Sequence, residues 1–155
     1  MKKFISFFFA TWFGTGYAPT SGTVGSAAAL PFIFIIAHFG GGCAVLAFLI
    51  FVYVVGTFAV KEVLKYTSHD PSIVVIDEVA GMTLTLLPFA NRFDDWRIWL
   101  GAFLFFRLFD ITKPWPASYF DRRVMNAHGV MLDDVAAGIY AAIAVAIINY
   151  AGDAR

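Results

Sequence analysis

The chain of 155 residues carries 11 basic and 11 acidic side chains, so its formal net charge is zero, and 60% of it is hydrophobic against only 14% charged. A neutral sum excludes bulk attraction to nucleic acid or to an acidic partner. The apolar excess lies far from soluble usage and marks an integral membrane protein with a single domain, residues 1–155.

The N-terminus opens with Lys2 and Lys3 and runs on through Phe4, Ile5, Phe7, Phe8 and Phe9 to Ala10. A secretory signal would look similar, but no small-x-small cleavage site closes this run, and Trp12 and Phe13 continue it. At about ten residues it is too short to span a bilayer, which takes about 20. It is read as an interfacial or re-entrant helix on the cytoplasmic side. Gly14 to Ser26 is dense in glycine and hydroxyls and reads as a loop. A first span should start near Thr23 and run through Pro31 to about Phe39, with Thr23 and Ser26 on its first turn. Free N–H groups, the helix dipole and two hydroxyls make an anion site there. Plain N-capping with close packing of small residues is the competing reading.

His38 to Gly42 turns the chain, and Cys43 to Val60 forms the second span of a helical hairpin. Cys43, the one cysteine, lies in this apolar run and reads as packing. Lys61, Glu62, Lys65, His69 and Asp70 form a polar connector. Asp70-Pro71-Ser72 reads as the cap and first turn of a third helix, which sets Asp77 and Glu78 one to two turns inside it and carries on to Phe89. After a polar turn from Asn91 to Arg97, Trp96 to Thr112 is the fourth span. Its end holds Arg107, Asp110 and Lys113 at i, i+3 and i+6, near one helix face. Pro114 and Pro116 should stop the helix near Thr112 or Lys113 and push Lys113 and Trp115 towards extended backbone. Asp121, Arg122, Arg123, Asn126 and His128 make a connector, and residues 129–134 lead into a fifth span ending near Asn149. The fold expected is an all-α polytopic membrane bundle of four to five embedded helices plus the N-terminal helix.

With the N-terminus inside, Lys2, Lys3, Lys61, Lys65, Arg107, Lys113, Arg122 and Arg123 fall on the cytoplasmic side, and Arg92, Arg97 and Arg155 on the other. That agrees with the positive-inside rule. Thr23 and Ser26, Asp77 and Glu78, Arg107 to Lys113, and Asp133 and Asp134 then meet at one membrane level. Five carboxylates, Asp77, Glu78, Asp110, Asp133 and Asp134, exceed what Arg107 and Lys113 neutralise. Hard oxygen ligands without a histidine or cysteine cluster favour Mg²⁺. For Asp133 and Asp134 alone, complementing a helix dipole is the competing reading. His38, His69 and His128 read as solvated residues rather than ligands.

Four blocks carry a resemblance: Gly22-Thr23-Val24-Gly25-Ser26, Asp77-Glu78-Val79-Ala80-Gly81-Met82, Phe106 to Asp110 with Lys113-Pro114-Trp115-Pro116, and Gly129 to Gly138. In this order and spacing the chain resembles the phosphatidylglycerophosphatase A family over nearly its whole length. One departure is Ser21, where the family usually has proline. The resemblance implies a multi-pass protein of the bacterial inner membrane whose site faces the cytoplasm. The implied activity is Mg²⁺-dependent removal of the terminal phosphate of phosphatidylglycerol phosphate, giving phosphatidylglycerol.

Bottom-up, Thr23, Ser26, Arg107 and Lys113 are the candidate phosphate binders and the five acids the candidate metal ligands. Asp110, Asp134, Lys113 and Arg107 are the candidate catalytic groups. Asp110 as nucleophile and a carboxylate activating a metal-bound water are both open. Hydrolysis of another lipid phosphate is the alternative within enzymes. A small ion-coupled transporter is the alternative outside them, although it would carry charge near the midplane. A non-catalytic lipid-binding or assembly subunit would not need five acids.

Overall fold

The computed structural model describes residues 2–67 and 71–153. It is helical, with no strand among the described residues: α1 (Lys2–Ala10), a 3-10 turn (Thr15–Tyr17), α2 (Ser21–Val63), α3 (Ile76–Leu86) with a 3-10 extension (Leu87–Phe89), α4 (Trp96–Thr112), α5 (Ala117–Arg123) and α6 (Ala127–Asp153). The readings of His69 and Asp70 as connector and cap, and of Arg155 as an outer base, lie outside the described residues.

α2 is a hairpin rather than a rod. Gly41 leaves the helical region at φ 60 and ψ −161, a conformation open to glycine because it lacks a Cβ. The ring of Trp12 then lies 5.2 Å from Phe32 in the first arm and 6.2 Å from Phe48 in the second. Both arms also meet the start of α3. A Cβ on Gly25 would stand 2.7 Å from Val75 Cβ, and one on Gly56 would stand 3.3 Å from Ile76 Cγ2.

α4 and α6 each turn a stripe of large aliphatics outward. Leu100, Leu104 and Leu108 of α4 and Ile139, Ile143 and Ile147 of α6 are exposed at i, i+4, i+8 spacing, while Ala102, Phe106, Ala137, Ala141 and Val145 are buried. Water would penalise that arrangement, and hydrocarbon does not, because lipid tails solvate leucine as well as a protein core does. Ser21–Val63 and Ala127–Ala151 are long and apolar enough to cross a membrane.

The third helix departs from expectation. It begins at Ile76, not at Pro71, so Asp77 and Glu78 sit in its first turn. The chain from Pro71 to Val75 is not helical, and Val75 N donates instead to Ala10 O at 2.9 Å. Eleven residues rise about 17 Å, short of the ~30 Å hydrocarbon core. The expected count of four to five full crossings therefore does not extend to α3, which is a short helix enclosed by its neighbours. It meets α6 backbone to backbone. A Cβ on Gly138 would come within 2.5 Å of Gly81 O, and Thr85 Oγ1 lies 2.9 Å from Gly81 O and 3.3 Å from Gly138 O. Paired glycines let two backbones meet where a larger residue would hold them apart. This contact sets the acids of α3 beside those of α6.

Candidate active site

Four chain segments converge on one cavity of about 210 Å³, lined by Ser21 and Gly22 at the start of α2, Ser72 and Val74 before α3, Asp77 and Glu78, Arg107, Asp110 and Lys113 at the end of α4, and Asp133 and Asp134 of α6. α2 starts at Ser21, two residues ahead of the expected Thr23. Its cap residue, Thr20, is left-handed (φ 55, ψ 49) and makes no side-chain capping bond. The first N–H groups of a helix have no intrahelical acceptor, so this end presents donors and the positive pole of the dipole to the cavity. Proline is favoured at such a first position; Ser21 occupies it here and donates its hydroxyl to Ser72 O at 2.5 Å.

Gly22 gives Glu78 and Arg107 their room. A Cβ there would collide with Glu78 Oε1 and stand 3.0 Å from Arg107 Nη1.

Asp110 and Asp133 are each paired with a cation. Arg107 Nη1 donates to Asp110 Oδ2 at 2.5 Å and lies 3.4 Å from Ser26 Oγ. Lys113 Nζ donates to both Asp133 Oδ2 and Asp121 Oδ1, each at 2.6 Å. Burial works against the Lys113 ammonium, but Asp133 and Asp121 outweigh it and hold its pKa above the ordinary lysine range. α4 ends at Thr112 as its prolines require. Lys113, however, is left-handed (φ 41, ψ 61) rather than extended. In that conformation its N–H caps Phe109 O while its side chain reaches the two carboxylates.

The other three acids form a different group. Asp77, Glu78 and Asp134 each offer a carboxylate oxygen within 4.8 Å of the other two. Asp77 and Asp134 are buried, Asp77 Oδ1 accepts from Glu78 N at 3.0 Å, and Glu78 Oε2 is buried without a hydrogen-bond partner. An orphaned carboxylate oxygen beside two further acids costs several kcal/mol unless a cation satisfies it. The donor set is all oxygen and suits a hard divalent cation. These residues fit a metal.

Asp133 and Asp134 are not at a helix start. Asn126 Oδ1 accepts from His128 N (2.9 Å) and Gly129 N (3.2 Å) and opens α6 at Ala127, so the acids lie about two turns in, beyond the reach of the dipole. Thr23 is exposed and does not line the cavity. Ser26 is buried, donates its hydroxyl to Gly22 O at 2.7 Å and meets the cavity only through Arg107.

Sequence reasoning missed Ser72, which is brought in by a loop, and Asp121, eight residues beyond Lys113 on a separate helix. Asp121 carried a local signal, since an acid on α5 near a chain reversal can face back to the preceding helix end. Ser72 carried none.

Residues 8–149 match the profile of the family described as Phosphatidylglycerophosphatase A. The chain belongs to the phosphatidylglycerophosphatase A family. It is 34% identical over 135 residues, 86% of this chain and 77% of the relative, to the Phosphatidylglycerophosphatase A of Escherichia coli K12. To that of Haemophilus influenzae it is 36% identical over 143 residues, 91% of this chain and 86% of the relative. A Bacteroides thetaiotaomicron protein named "Putative phosphatidylinositol-3-phosphatase" is 30% identical over 158 residues, covering 97% of this chain and 98% of the relative. No solved structure matches. As a member of the phosphatidylglycerophosphatase A family the chain is a phosphatase, and the four sequence blocks that carry the likeness are those that supply most of the cavity wall.

Proposed function

We propose that this phosphatase is an integral protein of the bacterial inner membrane that hydrolyses the terminal phosphate of phosphatidylglycerol phosphate at the cytoplasmic face and releases phosphatidylglycerol. The observation that carries the reading is the trio Asp77, Glu78 and Asp134, with Glu78 Oε2 orphaned, beside Arg107 and an uncapped helix start. The trio would hold Mg²⁺, which when bound supplies positive charge to a phosphate that the carboxylates alone would repel.

The protein's own groups supply the rest. Arg107 and the first N–H groups of α2 bind the phosphate oxygens and stabilise charge as it develops on them. Asp110 fixes the Arg107 fork and stands as nucleophile or general base, and acid quenching within one turnover distinguishes the two by whether a phosphoenzyme is trapped. Lys113 neutralises Asp133 and holds the wall of the cavity. At about 210 Å³ the cavity is below the ~300 Å³ at which drug-sized pockets begin. It therefore admits a headgroup and leaves the acyl chains in the bilayer. Trp115 and Tyr119, both exposed, frame the opening at headgroup depth, where aromatic rings favour the interface.

Phosphate release from phosphatidylglycerol phosphate and from soluble glycerol 3-phosphate, each with and without Mg²⁺, tests this reading. Strong preference for the lipid and dependence on the ion are expected, and equal kcat/KM for both substrates overturns the membrane-bound headgroup. The likeness to the Bacteroides protein favours one second reading, a phosphatase of another lipid phosphate. Faster turnover of phosphatidylinositol 3-phosphate in the same assay would select it.

A further inference from the structure

A second feature lies on the outer side of the contact between the second arm of α2 and α6. Two depressions of about 220 and 210 Å³ share Tyr53 and Val54 and so form one furrow. Its apolar length is walled by Leu49, Ile50, Val54 and Phe58 of α2 with Val135 of α6, and its far end by Lys61 and His128. Tyr53 Oη lies 3.3 Å from His128 Nδ1 and closes the floor where the lining turns polar.

From Leu49 to Lys61 the helix rises about 18 Å, close to the ~15 Å depth of one leaflet's hydrocarbon. The polar end points to the same side as the catalytic cavity, because Gly56 meets Ile76, the residue before Asp77, and Lys61 lies beyond Gly56. None of the furrow residues lines the cavity.

We infer that this furrow is a binding site for an anionic phospholipid, with one acyl chain lying along Leu49 to Phe58 and the headgroup phosphate against Lys61 and His128. Length and polarity match one leaflet read from headgroup to midplane. Charge complementarity gives the sign of the headgroup. Lys3 Nζ stands 4.2 Å from the Tyr66 ring, which brings the basic start of α1 to the end of α2, so Lys3 adds to Lys61 on this side, while Lys65 is neutralised by Glu62 at 2.5 Å. Basic side chains at a membrane surface attract anionic lipid. The site rests on the membrane placement and not on the choice of substrate.

Native mass spectrometry of the full chain, delipidated in detergent and supplied with dioleoyl phosphatidylserine or dioleoyl phosphatidylcholine, tests the proposal. Wild type should retain one phosphatidylserine about tenfold more strongly than phosphatidylcholine. Lys61→Gln should bring phosphatidylserine down to the phosphatidylcholine level, and Val54→Trp, which fills the furrow from an exposed position, should lower retention of both. Ile147→Trp, on an exposed face of α6, and Asp134→Asn should leave retention unchanged. Equal retention by wild type, Lys61→Gln and Val54→Trp overturns the site. Loss in Asp134→Asn with no loss in Val54→Trp also overturns it, and assigns the lipid to the catalytic cavity. Failure of the phosphatidylglycerol phosphate assay would leave these results untouched.

Discussion

The carboxylates of the cavity stand in different electrostatic conditions, and the difference separates those held by a cation from those that could hold one. Asp110 and Asp133 each face a cation, Arg107 and Lys113, at hydrogen-bond distance. Neither Glu78 nor Asp134 forms a salt bridge among the described residues, and with Asp77 they share a space small enough for one ion. The Lys113–Asp133 pair ties the end of α4 to α6, and the Arg107–Asp110 pair, within α4, fixes the guanidinium beside the cavity. Glu78 and Asp134 keep negative charge buried at a cost the fold tolerates because a ligand removes it.

The largest expected effect follows from emptying that second group. Chelation of divalent ions should reduce phosphate release to background, and Mg²⁺ should restore it. Glu78→Gln and Asp134→Asn should each lower kcat/KM by about 100-fold or more and raise the Mg²⁺ concentration needed. An unchanged Mg²⁺ requirement in both variants would dissolve the distinction between the two sets of acids.

Gly22→Ala comes next, with a loss of about 10- to 100-fold. The methyl adds no charge and displaces only Glu78 and Arg107, so full activity would show that neither group is position-sensitive.

The paired acids should behave as a unit. A double-mutant cycle of Lys113→Met with Asp133→Asn should give a stability coupling of about 0.5–3 kcal/mol, while Lys113→Met with Glu78→Gln should give almost none. The sign of the Lys113 shift adds a pH test. A lysine raised in the folded state contributes stability that is complete below its unfolded pKa of about 10.4 and is lost only as pH climbs through the folded value. Titration of Lys113 therefore leaves no mark between about pH 6 and 9, and thermal unfolding of the wild type should show no step from this group there. The smallest effect belongs to Thr23→Ala, within about twofold of wild type, because an exposed side chain outside the cavity offers the phosphate nothing.

The amino-acid sequence by itself determined the helices and their ends wherever a local rule applied. Hydrophobic runs made α2, α4 and α6, glycine reversed the chain at Gly41, and paired prolines stopped α4 at Thr112. Within the cavity it made visible the ion pair of Arg107 with Asp110, three residues apart on a single helix. It also made visible that four distant blocks hold the chain's odd chemistry. Only the tertiary structure decided which acids are neutralised. Lys113 reaches Asp133 across 20 residues and Asp121 on another helix, a choice that depends on a left-handed backbone no neighbour pattern announces. The start of α3 was misplaced because Pro71 reads as a first helical residue, while tertiary bonding of Val75 to Ala10 holds the preceding segment open. The orphaned Glu78 exists because Gly81 and Gly138 draw α3 and α6 together until their carboxylates share one space. That closeness is a property of two backbones meeting, and periodicity along either one is silent about it.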